Sequence, residues 1–191
     1  MIYGGSMTPK EYLEILHTAE KLKDTTRHCT TSGRRTESVA EHSWRLALMA
    51  ILLRGDFPEA DINKLTAMCV IHDLGECFTG DIPTFSKTDK DRETEDRLLN
   101  EWVCSLPAEI SSYFNSLYRE MEEQKTIEAK LFKALDKLEA LIQHNESPLD
   151  TWSENERELN LTYGTDTVAF SEWLTELRKV ILDETLDKLE K

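Results

Sequence analysis

The sequence predicts an all-α fold, a helical bundle of about seven or eight helices in a single domain covering residues 1–191. Two observations carry this. Apolar residues recur at three- and four-residue spacing through most of the chain, with no convincing strand-like alternation. Helix-start signals, a capping Ser, Thr or Asp, precede several of the apolar runs. At 191 residues, a domain buries roughly 70% of its unfolded surface, so the core needs no staples.

Thr8-Pro9 followed by Glu11 opens a first helix, which runs to about Lys23. The threonine caps, the proline suits the first helical position, and the glutamate completes a capping box. Residues 24–37, DTTRHCTTSGRRTE, read as a polar loop carrying Arg27, Arg34 and Arg35. Ser38 with Glu41 repeats the capping pattern and starts a helix that ends near Gly55. Asp61 caps a third helix to about Phe78, and Gly80 sits where a C-terminal glycine is expected. A loop at 79–87 contains Pro83. Thr88 begins a charged helix that stops before Pro107, and Pro107 begins the next. Thr126 starts a long helix to about Asn145, and a short helix or turn occupies 149–160. Asp166 starts a last helix running nearly to the end, with Phe170, Trp173, Leu174, Leu177, Val180 and Ile181 on it. That helix either packs on the domain or forms a homodimer contact. Trp44, Trp102, Trp152 and Trp173 lie on or beside helices and read as packing residues.

The formal net charge is −14. It repels polyphosphate, which argues against a nucleic-acid polymer as partner. A small phosphorylated substrate needs only a local cluster of cations. Cys29, Cys69, Cys77 and Cys104 form no C-x-x-C pair, which argues against a disulfide framework or a thiolate zinc site. Reduced, mostly packed thiols in a cytoplasmic protein are the expectation. No signal peptide opens the chain, and the longest apolar run, Leu46 to Leu53, is too short to span a bilayer, so no membrane partner is expected.

The histidines carry more information. Val39, His42, Leu46, Met49 and Leu53 form one helical stripe, and Leu65, Met68, Cys69, His72 and Glu76 form another. Both histidines should point inward. A lone histidine on an apolar face is usually a hydrogen-bonded core residue. Asp73 is harder to dismiss, because carboxylates are almost never buried unpaired. In the long helix, Lys130, Lys133 and Lys137 mark the solvent face, and Ile127, Leu131, Leu135, Leu138 and Ile142 the core face. Asp136 belongs to neither. It shares a third stripe with Ala129, Phe132, Ala140 and Gln143, which points to a second contact surface. Read alone, it is equally an exposed aspartate beside lysines.

His42, then His72-Asp73 thirty positions on, then Asp136, all on predicted helices, resembles the HD-domain phosphohydrolase superfamily. Within it the chain is most similar to the YfbR-type 5′-deoxynucleotidase family and its eukaryotic relatives, over about residues 10–145. RTESVAEHS at 35–43, HDLGECFTGDIPT at 72–84 and KALDKLEA at 133–140 carry the likeness. The resemblance implies an all-α fold that removes the 5′-phosphate of deoxynucleoside monophosphates, with one divalent metal ion on His42, His72, Asp73 and Asp136. Mixed imidazole and carboxylate ligands suit Mn, Co, Mg, Zn, Fe or Ni. It also implies catalytic roles for Glu76 and Arg27, and substrate contacts from Arg27, His28, His42, Asp73, Asp81, Ile82, Pro83 and Thr84. Arg34 and Arg35 either add to the phosphate site or are solvated. Position 28 departs from the pattern: bacterial members often carry Arg-Trp where this chain has Arg27-His28, which bears on sugar discrimination.

Other substrates fit the same site: a nucleoside triphosphate, a cyclic nucleotide or a guanosine polyphosphate. Hydrolases of the last kind typically read H-D-x-x-E-D, and here Cys77 follows Glu76. Di-iron oxygenases of the superfamily need further histidines between the first His and the HD pair, and none lies between His42 and His72. A non-catalytic, metal-stabilised sensor domain would not need Glu76, Asp81 and Arg27.

Overall fold

A computed structural model describes residues 7–84 and 86–190 of the chain. The described residues hold ten α-helical segments: α1 (Pro9–Ala19), α2 (Val39–Leu52), α3 (Ile62–Ile71), α4 (Glu76–Thr79), α5 (Asp89–Ser105), α6 (Ala108–Glu123), α7 (Ile127–Glu146), α8 (Glu154–Thr162), α9 (Thr165–Val168) and α10 (Glu172–Leu189). Eight span nine residues or more, as the all-α reading expects, and α4 and α9 are single turns.

The capping residues act as read. Thr8 and Ser38 each accept from the backbone N–H three residues on, and Glu11 and Glu41 reciprocate. Asp61 accepts from Asn63 and Lys64, and Thr126 from Ala129. The Ser38 cap matters most, because it fixes where the helix bearing His42 begins. Ser38→Ala should lower stability by about 1 kcal/mol, read as a lower midpoint of chemical denaturation with an unchanged slope.

α2 packs against α3, and both pack against α7. Their facing sides supply Leu46, Ala50, Leu65, Met68, Leu131, Leu135 and Leu138 to the core. α7 is buried on more than one side, which is why its sequence carries more than one apolar stripe. α10 lies on α7: the Asn145 amide donates to the Ile181 carbonyl at 2.8 Å, and Thr185 Oγ1 donates to Asn145 Oδ1 at 2.8 Å.

The structure corrects the sequence reading at four places. Residues 24–37 are not all loop, because β1 (Thr26–Thr30) and β2 (Thr36–Ser38) form an antiparallel ribbon. Its strands are short and polar, so no apolar alternation announces them. Arg34, at φ 65°, makes the turn between them. The third helix does not run unbroken to Phe78. After Ile71 the bonding shortens from i→i+4 to i→i+3, through Leu74 N–H to Ile71 O, Glu76 to Asp73, Cys77 to Leu74 and Phe78 to Gly75. Gly75 lets Glu95 approach, since a Cβ there would lie 2.9 Å from its Cγ. Gly80 ends the segment at φ 76°, as expected. The last helix does not start at Asp166 and continue. Ser171 Oγ accepts from Leu174 N–H and starts α10 afresh. Finally, Trp44 is 66% exposed rather than packed, whereas Trp173, though exposed, meets Phe57 ring edge to face, and Trp152 is buried.

Candidate metal centre and substrate cavity

Side chains from three helical segments meet at one point. His42 comes from the second turn of α2, His72 and Asp73 from the tightened turn after α3, and Asp136 from the middle of α7. His42 Nε2 lies 3.3 Å from His72 Nε2, 3.4 Å from Asp136 Oδ1 and 3.8 Å from Asp73 Oδ2. His72 Nε2 lies 2.9 Å from Asp73 Oδ2 and 3.9 Å from Asp136 Oδ1. Ligand atoms around a cation at about 2.1 Å stand roughly 3.0 to 3.4 Å apart in octahedral or tetrahedral arrangement. The His42–His72 and His42–Asp136 pairs fall in that range and His72–Asp73 close to it, while the 3.8 and 3.9 Å pairs are wider; His42, His72 and Asp73 form the tightest group.

Both imidazoles are turned the right way. His72 Nδ1 donates to the Cys69 carbonyl at 2.9 Å, leaving Nε2 with its lone pair. His42 Nδ1 pairs with Glu139 Oε2, and Glu139 Oε1 accepts from Arg45 Nε at 2.6 Å. His42 and Glu139 are both 0% exposed. A carboxylate behind a ligating histidine fixes its tautomer and raises its basicity. Glu139→Gln should weaken metal affinity by about 10- to 100-fold, read by competition with a metal-sensitive dye.

The electrostatics favour a cation. Burial and Arg27 oppose a charge on His42, but Asp136 and Glu139 outweigh them and push its pKa up to about 10. Asp136 is held far below the ordinary carboxylate range despite burial, by His42, Lys133 and His72. Asp73 is held down to about 2 against its burial, chiefly by His72. A proton on His42 balances the carboxylates, and a metal ion bound here would have to displace it. Below pH 10, affinity should therefore rise about tenfold per pH unit through this one proton. Titration calorimetry in buffers of different ionisation enthalpy would count the released proton at pH 8.

The cluster opens onto a cavity of about 680 Å³. Arg27, His28, Glu76, Asp81, Ile82, Pro83 and Thr84 all line it together with His72, Asp73 and Asp136. Arg27 sits on β1 with Nε 3.2 Å from Glu37 Oε2 and Nη1 3.9 Å from Asp73 Oδ2. Its burial opposes charge, but Glu139, Asp73 and Glu37 hold it cationic. Glu76 Oε2 is buried with no hydrogen-bond partner. Burial, Asp73 and Asp81 push the Glu76 carboxyl up to about 9. A buried, orphaned carboxylate oxygen beside a cation-seeking cluster is a place for a water or a ligand.

His42 stands behind the cavity wall rather than in it, so it reaches the centre only through Nε2. Arg34 and Arg35 lie outside the site, paired with Asp150 and Glu41. Several residues at the site escaped the sequence reading. The helical spacing places Lys133 on the solvent face, yet its Nζ lies 3.4 Å from Asp136 Oδ2 and it lines the cavity. Lys137, Lys87, Tyr118 and Tyr163 line it too. The available signal for Glu139 was its position three residues after Asp136 on the core side of α7.

An all-α bundle that gathers a histidine, a His-Asp pair and a distant aspartate around one cation-seeking point is an HD-type architecture. The HD domain family matches residues 19–178, and the chain belongs to that family. Human 5′-deoxynucleotidase HDDC2 is 31% identical over 114 residues, covering 59% of this chain and 55% of that protein. The Dictyostelium discoideum 5′-deoxynucleotidase HDDC2 is 32% identical over 142 residues, covering 69% and 75%. The chain thus spans little more than half the length of the human relative. Among solved structures, a predicted metal-dependent phosphohydrolase from Magnetospirillum magnetotacticum superposes with a TM-score of 0.76 at 25% identity, over 94% of this chain and 95% of that one.

Proposed function

We propose that this chain is a metal-dependent phosphomonoester hydrolase that removes the 5′-phosphate of deoxynucleoside monophosphates. The observation that carries the reading is the meeting, in one cavity, of the His42–His72–Asp73–Asp136 cluster, the unpartnered Glu76 carboxylate and the buried Arg27. The named activity of the HDDC2 relatives supports the substrate class. The cavity volume lies within the range of small-molecule sites.

A single divalent cation at the cluster would supply a Lewis acid for the phosphoryl group and a more acidic water. The remaining work falls to the chain. Arg27 neutralises charge on the phosphate oxygens, and a guanidinium fork suits them geometrically. Lys133 adds a second positive charge at the same wall. Glu76 takes the proton from the attacking water; with no cation beside it the carboxyl is pushed up to about 9 and already holds a proton, so the role requires a bound cation's charge to bring that value down. The 81–84 loop and His28 bound the space left for sugar and base.

Four free cysteines among the described residues support a reducing, cytoplasmic setting, and no described helix is long and apolar enough to cross a membrane. One buried cluster from Leu22 to Ile181 supports a single domain. Exposed Trp173, Val180 and Leu186 on α10 leave it a face for a homodimer contact.

Phosphate release from mono-, di- and triphosphates of deoxy- and ribonucleosides, with Mn or Co added, tests the reading. Selective release of inorganic phosphate from deoxynucleoside monophosphates supports it. Release of triphosphate from dNTPs, or no release from any compound, would overturn it.

A further inference from the structure

We propose that His28, Cys29, His144 and Glu156 form a second metal site, suited to a four-coordinate cation of the zinc class. Cys29 Sγ lies 3.2 Å from His144 Nε2 and 3.7 Å from His28 Nε2. Glu156 Oε1 lies 3.7 Å from each of those two ring nitrogens. Donors at tetrahedral zinc, with bonds of about 2.0 to 2.3 Å, stand roughly 3.3 to 3.6 Å apart. The Cys29, His28 and His144 donor atoms all lie within 4.8 Å of one another, and Glu156 stands within reach of both rings, so the place offers one thiol, two imidazoles and one carboxylate.

Charge and orientation fit as well. A thiolate and a carboxylate would neutralise a dication in a place where Cys29 is 1% exposed and both His144 and Glu156 are buried. An amide oxygen only accepts, so His144 Nδ1 must carry the proton it donates to Asn160 Oδ1 at 2.8 Å. That leaves Nε2 with its lone pair facing Cys29. The His144 carbonyl in turn accepts from Trp152 Nε1 at 3.0 Å and from Ser147 Oγ at 2.8 Å, and Arg178 holds the Asn160 carbonyl at 2.8 Å. Such outer partners fix a ligating histidine. Burial pushes the Cys29 thiol up to about 12 against the pull of Arg27, so the metal-free group is a thiol and a cation would expel its proton.

The ligands come from β1, α7 and α8, elements far apart in sequence, so a cation here would pin the ribbon carrying Arg27 to the C-terminal part of the chain. It would also hold the His28 ring in the cavity wall. The absence of a C-x-x-C pair hid the site from the sequence, because its two halves are more than a hundred positions apart.

Cobalt(II) tests this directly. The first centre holds no sulfur, so only the second can give a thiolate-to-cobalt charge-transfer band. Chelator-stripped full-length protein titrated with Co2+ should show that band, together with intense visible bands of tetrahedral cobalt, and should bind two ions per chain. Asp136→Ala should keep the band and bind one ion. Cys29→Ser should lose the band and one ion, and Glu156→Gln should keep the sulfur band with at least tenfold weaker binding. Absence of the band in folded wild-type protein would overturn the proposal, as would equal ion counts in wild type and a folded Cys29→Ser protein. Either result leaves the phosphate-release test of the first centre untouched.

Discussion

Glu76→Ala is expected to cut phosphate release by about a thousandfold, the middle of the range for a positioned proton-transfer group, while leaving the metal in place. The side chain projects beside the cluster without belonging to it, and its Oε2 has no protein partner to lose. Metal content by atomic emission and turnover by phosphate release should therefore separate. Full activity, or coincident loss of metal, would refute the role. The same group predicts a stability effect in metal-free protein. The folded carboxyl titrates near 9, while in the unfolded chain it titrates near its ordinary value. Between those two values the folded state binds the extra proton, so stability falls as pH rises. Glu76→Gln removes this loss. Stripped of metal at pH 8, the variant should be more stable than wild type, and its denaturation midpoint should vary less between pH 5 and pH 9.

Asp136→Ala has the opposite signature. It removes a carboxylate that His42 Nε2 approaches to 3.4 Å and His72 Nε2 to 3.9 Å. The first centre should lose metal affinity by more than about a hundredfold, beyond the usual effect of an outer-shell partner, and hydrolysis should vanish with the metal. Unlike Glu76→Gln, this variant should destabilise metal-free protein. Asp136 is ionised far below the ordinary range in the fold, so its contribution is present at neutral pH and fades only in strong acid. Isothermal titration with Mn2+ on both variants distinguishes a ligand from a proton-transfer group.

What the sequence made legible follows from what periodicity can encode. A helical stripe reports which side of a segment is buried, so the inward placement of His42 and His72 was readable from their apolar neighbours. Asp136 was half readable, because α7 buries more than one face and its stripe could face either a partner or solvent. Lys133 was misplaced for the same reason: periodicity gives direction but not depth, and a cavity is solvent that lies inside the fold. Glu139 looked like any helical glutamate. Only its meeting with His42, nearly a hundred positions away, gives it a task. The β1–β2 ribbon was illegible because four polar residues and one buried cysteine opposite three polar residues form a pair with no apolar rhythm. Similarity over three short blocks, rather than composition, pointed to the cavity loop.

The switch from i→i+4 to i→i+3 bonding after Ile71 has a consequence for anyone who would move this chemistry to another scaffold. With three residues per turn, side chains at i and i+3 eclipse, so Asp73 and Glu76 line up one above the other. On a regular helix the same two positions would be rotated by about 60°. Grafting H-D-x-x-E onto an idealised straight helix would therefore aim the glutamate away from the centre while every residue in the motif was correct. A designer would have to copy the tightened turn itself, including the glycine that lets Glu95 come close, before copying any side chain.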